Sequence, residues 1–241
     1  MVDIHSHILN NIDDGSKSIE ESIRILKEYE KINITDVVLT PHYVYEGNYI
    51  IQNKEKEKLF NELKKNVQKE KININLYLGN EVYACDNVID LLNENKISTI
   101  NNSKYLLIEF PIYVEDKQQF NIIYNIVLSG YIPIIAHPER YKYVVKNFDI
   151  LNEYINLGAL LQINKDSLFG KYGKEAKKWA KKLIRKRMVT CVGTDIHSIN
   201  RKIYSTKKLS RKIRSLSNKY YCNKVINENG LKIINNEKIT K

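Results

Sequence analysis

Residues 2–32 read VDIHSHILNNIDDGSKSIEESIRILKEYEKI, and they predict a short strand followed by an amphipathic helix. The strand is VDIH, at 2–5, and the helix covers 18–32. The apolar residues of the helix recur every three or four positions, as on one helical face, at Ile19, Ile23, Leu26 and Tyr29. Ser18 and Glu21 have the spacing of an N-terminal capping box. Repetition of this strand–helix unit decides the predicted fold.

The same alternation continues along the chain. Further short apolar segments predict strands at 36–40, 74–79, 105–110, 132–137, 159–164 and 190–195. Amphipathic patterns between them predict helices at 52–70, 86–94, 116–129, 147–157 and 173–187. Gly130 and Gly158 lie where two of these helices should end. Strands that alternate with helices in this way predict an α/β fold with parallel strands, as a barrel or an open sheet.

Composition limits the classes of function. The 241 residues are 43% hydrophobic without a Pro/Gly/Ser-rich linker, which predicts one domain with a short C-terminal extension. The 39 basic and 28 acidic residues give a formal net charge of +11. Because Lys, Asn and Ile are abundant throughout, we interpret this charge as a compositional bias and expect no nucleic-acid partner. No signal peptide or apolar run of about 20 residues is evident, so we expect a cytoplasmic chain without membrane insertion.

The three cysteines exclude the cysteine-based class of tyrosine phosphatase. That chemistry needs an arginine six positions after the nucleophilic cysteine, in a C-x5-R phosphate loop. The residues six positions after Cys85, Cys191 and Cys222 are Leu91, His197 and Glu228. The odd count and the lack of C-x-x-C spacing also argue against a disulfide framework or a thiolate zinc site.

All five histidines lie at the C-terminal ends of predicted strands. His5 and His7 follow the first strand, and the others, after strands two, five and seven, are His42, His137 and His197. Three carboxylates occupy the same kind of position, namely Glu81, Glu109 and Asp195. Because the C-terminal ends of barrel strands share one mouth, we expect these side chains to meet there. Their imidazole and carboxylate donors predict a site for Mn, Fe, Co or Zn.

The number of candidate ligands exceeds what one ion needs. We therefore predict two or three ions, bridged by Glu81, Glu109 or Asp195, and clustered ions of this kind typically serve hydrolysis of phosphate esters. An H-x-H pair by itself is weak evidence, and Glu109 could be an isolated buried carboxylate. Burying an unpaired charge is costly, however, and a metal ion removes that cost.

Three further residues are candidates for this mouth. Asp14, in the loop after the H-x-H pair, is a candidate ligand, although Asp13 and Asp14 could instead form a turn with Gly15. Arg140 follows the fifth strand, and Arg201 follows the seventh. Guanidinium groups bind phosphate oxygens through two hydrogen bonds, so both arginines are candidates for contact with substrate.

Several motifs resemble those of the polymerase-and-histidinol-phosphatase superfamily of metal-dependent phosphoesterases. They are HSH at 5–7, PH at 41–42, Glu81, Glu109, His137 and DIH at 195–197. Within this superfamily the chain is similar to the manganese-dependent tyrosine-protein phosphatases of bacterial capsule and exopolysaccharide operons. The closer matches are DIHSHILNNIDDGSKS at 3–18, NNSKYLLIEFP at 101–111, PIIAHPERY at 133–141 and LLQINKDSL at 160–168. The resemblance runs from Val2 to about Ile203.

The resemblance implies a distorted TIM-like (β/α)7 barrel with a metal site at the C-terminal ends of its strands. Within a single domain, 1–241, the barrel would cover about 1–203 and a C-terminal helical extension about 204–241. The site would be trinuclear, with Mn²⁺ as the expected ion, and its ligands would be His5, His7, Asp14, His42, Glu81, Glu109, His137, Asp195 and His197. The phosphate-binding arginines would be Arg140 and Arg201.

These observations predict hydrolysis of protein phosphotyrosine, on the tail of a bacterial tyrosine kinase that controls capsule or exopolysaccharide synthesis. We expect water activated at the metal site to attack phosphorus, while Arg140 stabilises charge on the phosphoryl oxygens. His42, which is also a candidate ligand, and a metal-bound water are both candidate proton donors to the leaving tyrosinate. The alternatives are a small-molecule phosphatase of the histidinol phosphate type, a metal-dependent nuclease, and an inactive scaffold that binds a kinase tail. The sequence leaves the oligomeric state open.

Overall fold

Parallel strands form the framework of the computed structural model, which describes residues 1–115, 117–200 and 203–239. The nine strands within those residues are β1 (Val2–Asp3), β2 (Asp36–Leu39), β3 (His42–Tyr43), β4 (Asn75–Leu78), β5 (Glu81–Tyr83), β6 (Tyr105–Glu109), β7 (Ile132–Ile135), β8 (Leu160–Asn164) and β9 (Cys191–Gly193). Their hydrogen-bonded order is β1-β2-β4 in one sheet and β3-β5-β6-β7-β8-β9 in the other. Every pair in both sheets is parallel.

Two of the seven predicted strands are each followed by a second, short strand. The segment predicted at 36–40 forms β2 and continues after Pro41 as β3, and the segment predicted at 74–79 forms β4 and continues as β5. Proline has no N–H to donate to a strand ladder, so the ladder is interrupted at Pro41. The Glu81 N–H donates to the Pro41 carbonyl at 3.1 Å. The two strands therefore pass together from the first sheet into the second.

Backbone hydrogen bonds join the last strand segment to the first. The Asp195 N–H donates to the His5 carbonyl at 2.9 Å, and the His7 N–H donates to the Ile196 carbonyl at 2.9 Å. The sheets thus curl into a distorted barrel in which all strands run towards one mouth. This arrangement confirms the predicted α/β fold class.

Helices cover the outside of the sheets. Within the described residues the α-helices are α1 (Ile19–Lys31), α2 (Asn53–Lys69), α3 (Val88–Asn93), α4 (Gln119–Leu128), α5 (Lys142–Lys146), α6 (Ile150–Asn156), α7 (Lys165–Phe169), α8 (Gly173–Arg185), α9 (Thr206–Leu216), α10 (Lys219–Asn223) and α11 (Asn229–Ile234). Short 3-10 helices lie at Ile100–Asn102 and Pro138–Arg140, and a π-helical turn at Lys224–Glu228 joins α10 to α11. The predicted start of α4, at Asp116, lies outside the described residues. The short helices α5 and α7 were not predicted. Among the described helices, none has the length and apolar character needed to cross a bilayer.

The predicted capping box of α1 forms only in part. The Ser18 Oγ accepts a hydrogen bond from the Glu21 N–H at 3.2 Å, as expected. The Glu21 carboxylate accepts instead from the Lys17 N–H, at 3.0 Å, one residue before the predicted partner. The cap therefore also orders the backbone that leads from the loop of Asp13 and Asp14 into the helix.

The C-terminal helices close the end of the barrel opposite the mouth. Ile233 and Ile234, on α11, belong to the buried apolar cluster inside the barrel, together with Val2 and Leu107. Gly230 lies so close to Val2 that a Cβ at this position would be 2.7 Å from the Val2 side chain. Side chains of α11 thus fill the barrel interior at the end opposite the mouth. The strand ends at the mouth remain available for polar side chains.

Candidate metal centre

The structure brings together all nine candidate ligands at the mouth of the barrel. His42 and Glu81 begin the short strands β3 and β5, and Glu109 ends β6. The other six lie in segments that follow strands, namely His5, His7, Asp14, His137, Asp195 and His197. His5 and His7 were expected to extend the first strand, but β1 ends at Asp3. Their segment is held instead by backbone hydrogen bonds to the loops on both sides of it.

Three buried acceptor atoms meet at the innermost point of the mouth. The Nε2 atoms of His5 and His7 are 3.2 Å apart, and the Glu81 Oε2 lies 3.1 Å from the first and 3.2 Å from the second. The Nδ1 of His7 faces the Asp13 carboxylate at 2.8 Å, and the Nδ1 of His5 faces the Gln162 side-chain oxygen at 3.0 Å. Both partners are acceptors, so each Nδ1 donates a hydrogen bond and each Nε2 is the ring nitrogen left to bind a metal ion, once that nitrogen is deprotonated.

The Glu81 carboxylate lies close to four of the candidate ligands, more than a ligand of one ion would contact. Its Oε2 also lies 3.2 Å from the Nδ1 of His42, and its Oε1 lies 3.2 Å from the Nε2 of His137. The His137 Nε2 is in turn 3.4 Å from a carboxylate oxygen of Glu109. The Glu81 side chain is fully buried, and its Oε2 accepts no conventional hydrogen bond. A carboxylate in this position is suited to bridge two ions.

A second group of donors lies nearer to solvent. An oxygen of Asp14 is 3.6 Å from the His42 Nε2 and 3.4 Å from the His197 Nε2. The Asp14 side chain is 51% exposed, in contrast to the buried donors beneath it. Asp195 Oδ1 connects the two groups, since it lies 3.4 Å from the His197 Nδ1 and 3.5 Å from the His7 Nε2.

These spacings fit divalent cations with nitrogen and oxygen ligands. Donor atoms about 2.1 Å from one ion are separated from each other by roughly 3.0–3.4 Å, which matches the distances among these side chains. Three overlapping sets have donor atoms within 4.8 Å of one another: His7, Asp14, His42 and His197; His5, His7 and Glu81; and His42, Glu81 and Glu109. The overlap at Glu81, His7 and His42 is the pattern expected when neighbouring ions share ligands.

Burial keeps two of the histidines in the form that binds metal. It lowers the pKa of His137 to about 4, and the nearby Arg140 charge acts in the same direction. It also lowers the pKa of His197 to about 4, with a further contribution from His7. Both imidazoles are therefore neutral at pH 7, as metal ligation requires.

The buried carboxylates of the metal centre favour the binding of positive charge there. Burial disfavours a charged His5, but Glu81 and Asp195 together outweigh burial and raise the pKa of His5 to about 9. Burial, followed by the charge of Glu81, raises the pKa of Glu109 to about 8. The charge of the buried Glu81 carboxylate contributes to both shifts, because it favours a protonated His5 and a protonated Glu109. A divalent cation bound among the donors would balance the negative charge of these carboxylates.

Two of the candidate ligands have a left-handed backbone. His137 has a φ of 34° and Asp195 a φ of 52°. Such conformations cost on the order of 1–3 kcal/mol for residues other than glycine, and they persist where surrounding contacts hold them. At both positions the turn directs a side chain into the mouth immediately after a strand has ended.

Arg140 lies beside the donors without being one of them. Its Nη1 donates to Asp195 Oδ2 at 2.9 Å, and its guanidinium carbon lies 4.5 Å from the centre of the Tyr172 ring. Arg140, Tyr172 and seven of the nine candidate ligands line a pocket of about 200 Å³ at the mouth. Arg201, the other predicted phosphate-binding arginine, lies outside the described residues.

Sequence reasoning missed the residues that orient the ligands. Asn164 donates to Asp195 Oδ2 at 2.6 Å, and the Tyr172 hydroxyl donates to the same oxygen at 3.3 Å. Gln162 donates to the Asn164 side-chain oxygen at 2.9 Å while its own oxygen faces His5. One signal was present in the sequence, because Gln162 and Asn164 are polar residues two apart in an otherwise apolar strand, and such residues share a face.

Asp13 is a testable example of such support. It contacts His7, and its carboxylate also accepts from the backbone N–H groups of Gly15, at 2.8 Å, and His42, at 2.9 Å. Asp13→Ala should weaken metal affinity about 10- to 100-fold, the usual effect of removing a partner of a ligating histidine. Titration of the metal-free protein with Mn²⁺ would measure this change. Asp90→Ala, on α3, is the control, and equal affinities for the two variants would contradict the assigned role.

A family model described as "Capsular polysaccharide synthesis, CpsB/CapC" matches residues 1–235. Over 241 residues, the sequence is 42% identical to CapC of Staphylococcus aureus, covering 100% of this chain and 94% of that protein. It is also 31% identical over 208 residues to the tyrosine-protein phosphatase YwqE of Bacillus subtilis, covering 86% of this chain and 82% of YwqE.

Solved structures agree with these sequence relationships. One chain comes from the crystal structures of YwqE from Bacillus subtilis and CpsB from Streptococcus pneumoniae, described as metal-dependent tyrosine phosphatases. It superposes with a TM-score of 0.93 at 28% identity, covering 100% of this chain and 96% of that one. Histidinol phosphate phosphatase from Lactococcus lactis, solved with zinc, L-histidinol and phosphate, has a TM-score of 0.58 at 14% identity, covering 90% and 94% of the two chains. This second similarity is one of fold.

Proposed function

The chain belongs to the CpsB/CapC family of capsular polysaccharide synthesis, and we propose that it is a metal-dependent phosphatase that hydrolyses protein phosphotyrosine. One observation carries the proposal. Five histidines and four carboxylates from different strand ends converge at a single mouth, where the Nε2 atoms of His5 and His7 lie 3.1 and 3.2 Å from Glu81 Oε2. An arginine that can bind phosphate lies at the edge of this cluster.

We assign the nine converging residues as ligands of two or three ions, with Mn²⁺ as the preferred ion and Fe, Co or Zn as alternatives. The ligands are His5, His7, Asp14, His42, Glu81, Glu109, His137, Asp195 and His197. Oxygen and nitrogen donors without thiolates support this choice of metals. When bound, such ions supply Lewis acidity towards the phosphoryl oxygens and lower the pKa of water.

The residues of the chain contribute binding and orientation. Arg140 donates to Asp195 with one nitrogen, so the rest of its guanidinium can bind a phosphoryl oxygen and stabilise the charge of the transition state. His42 is the candidate proton donor to the leaving tyrosinate, and because burial and the His7 charge lower its pKa, it releases a bound proton readily. Tyrosine has a pKa of about 10, so its oxygen leaves more readily than an alkoxide and needs less acid assistance.

The physiological substrate in this proposal is the phosphotyrosine tail of a bacterial tyrosine kinase that controls capsule synthesis, in the cytoplasm. The capsular polysaccharide description of the family supports this assignment. The exposed position of Asp14 places the outer donors at the surface, where a tail that extends from another protein can reach them. The scaffold alternative differs by predicting tail binding without turnover.

Metal dependence gives the first test of the catalytic proposal. Treatment with EDTA should abolish phosphatase activity, and Mn²⁺ should restore it better than Mg²⁺ or Ca²⁺, because imidazole ligands disfavour those harder ions. The measurement is the rate of phosphate release before and after chelation. The variants Cys85→Ser, Cys191→Ser and Cys222→Ser should keep near-normal turnover. Activity that survives exhaustive chelation would refute the proposed metal centre.

The choice of substrate is tested by a panel assayed with one preparation of the Mn²⁺-loaded protein. Phosphotyrosine peptides of varied sequence should be hydrolysed at similar rates, and phosphoserine peptides at least about tenfold more slowly, because an alkoxide is the poorer leaving group. Histidinol phosphate and single-stranded DNA represent the two alternative enzymes. Faster turnover of either than of any phosphotyrosine peptide would replace the substrate assignment and leave the metal centre in place.

A further inference from the structure

A second pocket, here called the side pocket, adjoins the pocket of the metal centre. It is lined by Ile112, Tyr113, Glu139, Arg140, Lys142, Tyr172, Glu175 and Ala176. Arg140 and Tyr172 line both pockets, so the two cavities adjoin at this pair of packed side chains. A molecule whose phosphoryl group contacts Arg140 from the metal centre therefore has the side pocket within reach of its next few atoms.

The two pockets differ in chemistry. Charged or ionisable side chains line the pocket of the metal centre throughout. The side pocket also has charged side chains, but it adds apolar and aromatic groups from Ile112, Tyr113 and Ala176. A phosphate group suits the first environment, and an aromatic ring suits the apolar part of the second.

The size of the side pocket corresponds to one aromatic ring. Its volume is about 170 Å³, and an apolar cavity of about 150 Å³ is sufficient to bind benzene. Pockets that hold larger organic ligands measure roughly 300–1,000 Å³. The side pocket therefore has room for a phenyl group.

The outer wall of the side pocket is an exposed aromatic residue. Tyr113 lines the pocket and is 78% exposed, and its neighbour Val114 is 70% exposed. Adjacent exposed apolar side chains beside a functional site commonly mark a binding surface. A ring seated in the pocket would cover part of Tyr113 and gain an aromatic contact there.

We propose that the side pocket binds the phenyl ring of phosphotyrosine while the phosphoryl group occupies the metal centre. This inference rests on the proposed function and explains how the site selects its substrate. A phosphotyrosine ring follows the phosphoryl oxygen directly, so it reaches the side pocket past Arg140 and Tyr172. A phosphoserine side chain has only one carbon between its oxygen and the backbone, and it offers no ring to this pocket. Aryl esters are therefore favoured by binding as well as by their leaving group.

Phosphonates test ring binding without turnover. Phenylphosphonate and methylphosphonate present the same charged group to the metal centre, and only the first carries a ring. In the Mn²⁺-loaded Tyr113→Ser variant, the inhibition constant of phenylphosphonate should rise about five- to tenfold, and that of methylphosphonate less than about twofold. The KM for phenyl phosphate should rise by a similar factor with little change in kcat. The matched control is Tyr124→Ser, because Tyr124 is 54% exposed on α4 and lines neither pocket.

A second variant fills the pocket instead of opening it. Ala176→Leu adds volume at a lining residue and should weaken phenylphosphonate selectively, with bound metal unchanged. Should this buried substitution impair folding, the exposed Tyr113→Ser variant still decides the question. Equal effects on both phosphonates, or an effect on neither, would overturn the proposal. The wild-type substrate panel judges the proposed function separately, since phosphonate binding can be measured whichever ester is hydrolysed fastest.

Discussion

Replacing Glu81 by alanine is expected to lower kcat/KM by at least about 10³-fold, equivalent to about 4 kcal/mol, and to remove most of the bound metal. Glu81 is fully buried and lies 3.1–3.2 Å from nitrogen atoms of His5, His7, His42 and His137. If one carboxylate is shared by neighbouring ions, its loss disrupts more than one binding position. The effect should therefore exceed that of removing a ligand of a single ion, such as Asp14.

The measurement for this prediction combines metal analysis with steady-state kinetics. Glu81→Gln preserves the shape of the side chain but removes its charge, and it should lose nearly as much metal as Glu81→Ala. Glu28→Ala, on the exposed face of α1, is the control for a lost glutamate. A Glu81→Gln variant with a full metal complement and turnover within about tenfold of wild type would contradict the bridging role.

Replacing Arg140 by alanine should separate catalysis from metal binding. We expect a loss of about 10²–10³ in kcat/KM, the size observed when one preorganised donor to a developing charge is removed. Bound metal should be retained, because Asp195 Oδ2 keeps its hydrogen bonds from Asn164 and Tyr172 when Arg140 is absent. The loss at Arg140 therefore reports contact with the phosphoryl group.

Arg140→Lys supplies the graded control for this experiment. Lysine keeps the charge but cannot make two parallel hydrogen bonds, so it should recover only part of the lost kcat/KM. Lys27→Ala removes a surface charge that lines neither pocket, 45% exposed and paired with Glu70, and should have a much smaller effect. A loss of metal from Arg140→Ala in proportion to its loss of activity would show that Arg140 acts by holding Asp195.

Much of the fold follows from local patterns. Short apolar segments and amphipathic helices alternate along the chain, and the predicted strands at 105–110, 132–137 and 159–164 correspond to β6, β7 and β8. The helix predicted at 18–32 corresponds to α1. Local patterns could not predict that β2 and β4 break and continue in another sheet. That change depends on how two strands bend together around Pro41.

The positions of the donors were also predictable, for a topological reason. Parallel strands end on the same edge, so donors that follow strands far apart in sequence are delivered to one mouth. This is how His5 and Asp195, 190 residues apart, come within 3.7 Å. The sequence also contains the residues that support the donors, but only the distances identify them. Asp13, interpreted as part of a turn, proves to contact His7 at 2.8 Å.

The amino-acid sequence alone determined the parallel α/β architecture, the donor types and the end of the barrel at which they meet, because strand and helix periodicity and residue chemistry are local properties. Only the tertiary structure decided which atoms face one another. The tautomers of His5 and His7 depend on Gln162 and Asp13, the pKa of Glu109 depends on burial beside Glu81, and the side pocket depends on the packing of Tyr113 near α8. Each of these properties arises from contacts between segments distant in the chain, and such contacts acquire definite distances only when the barrel closes.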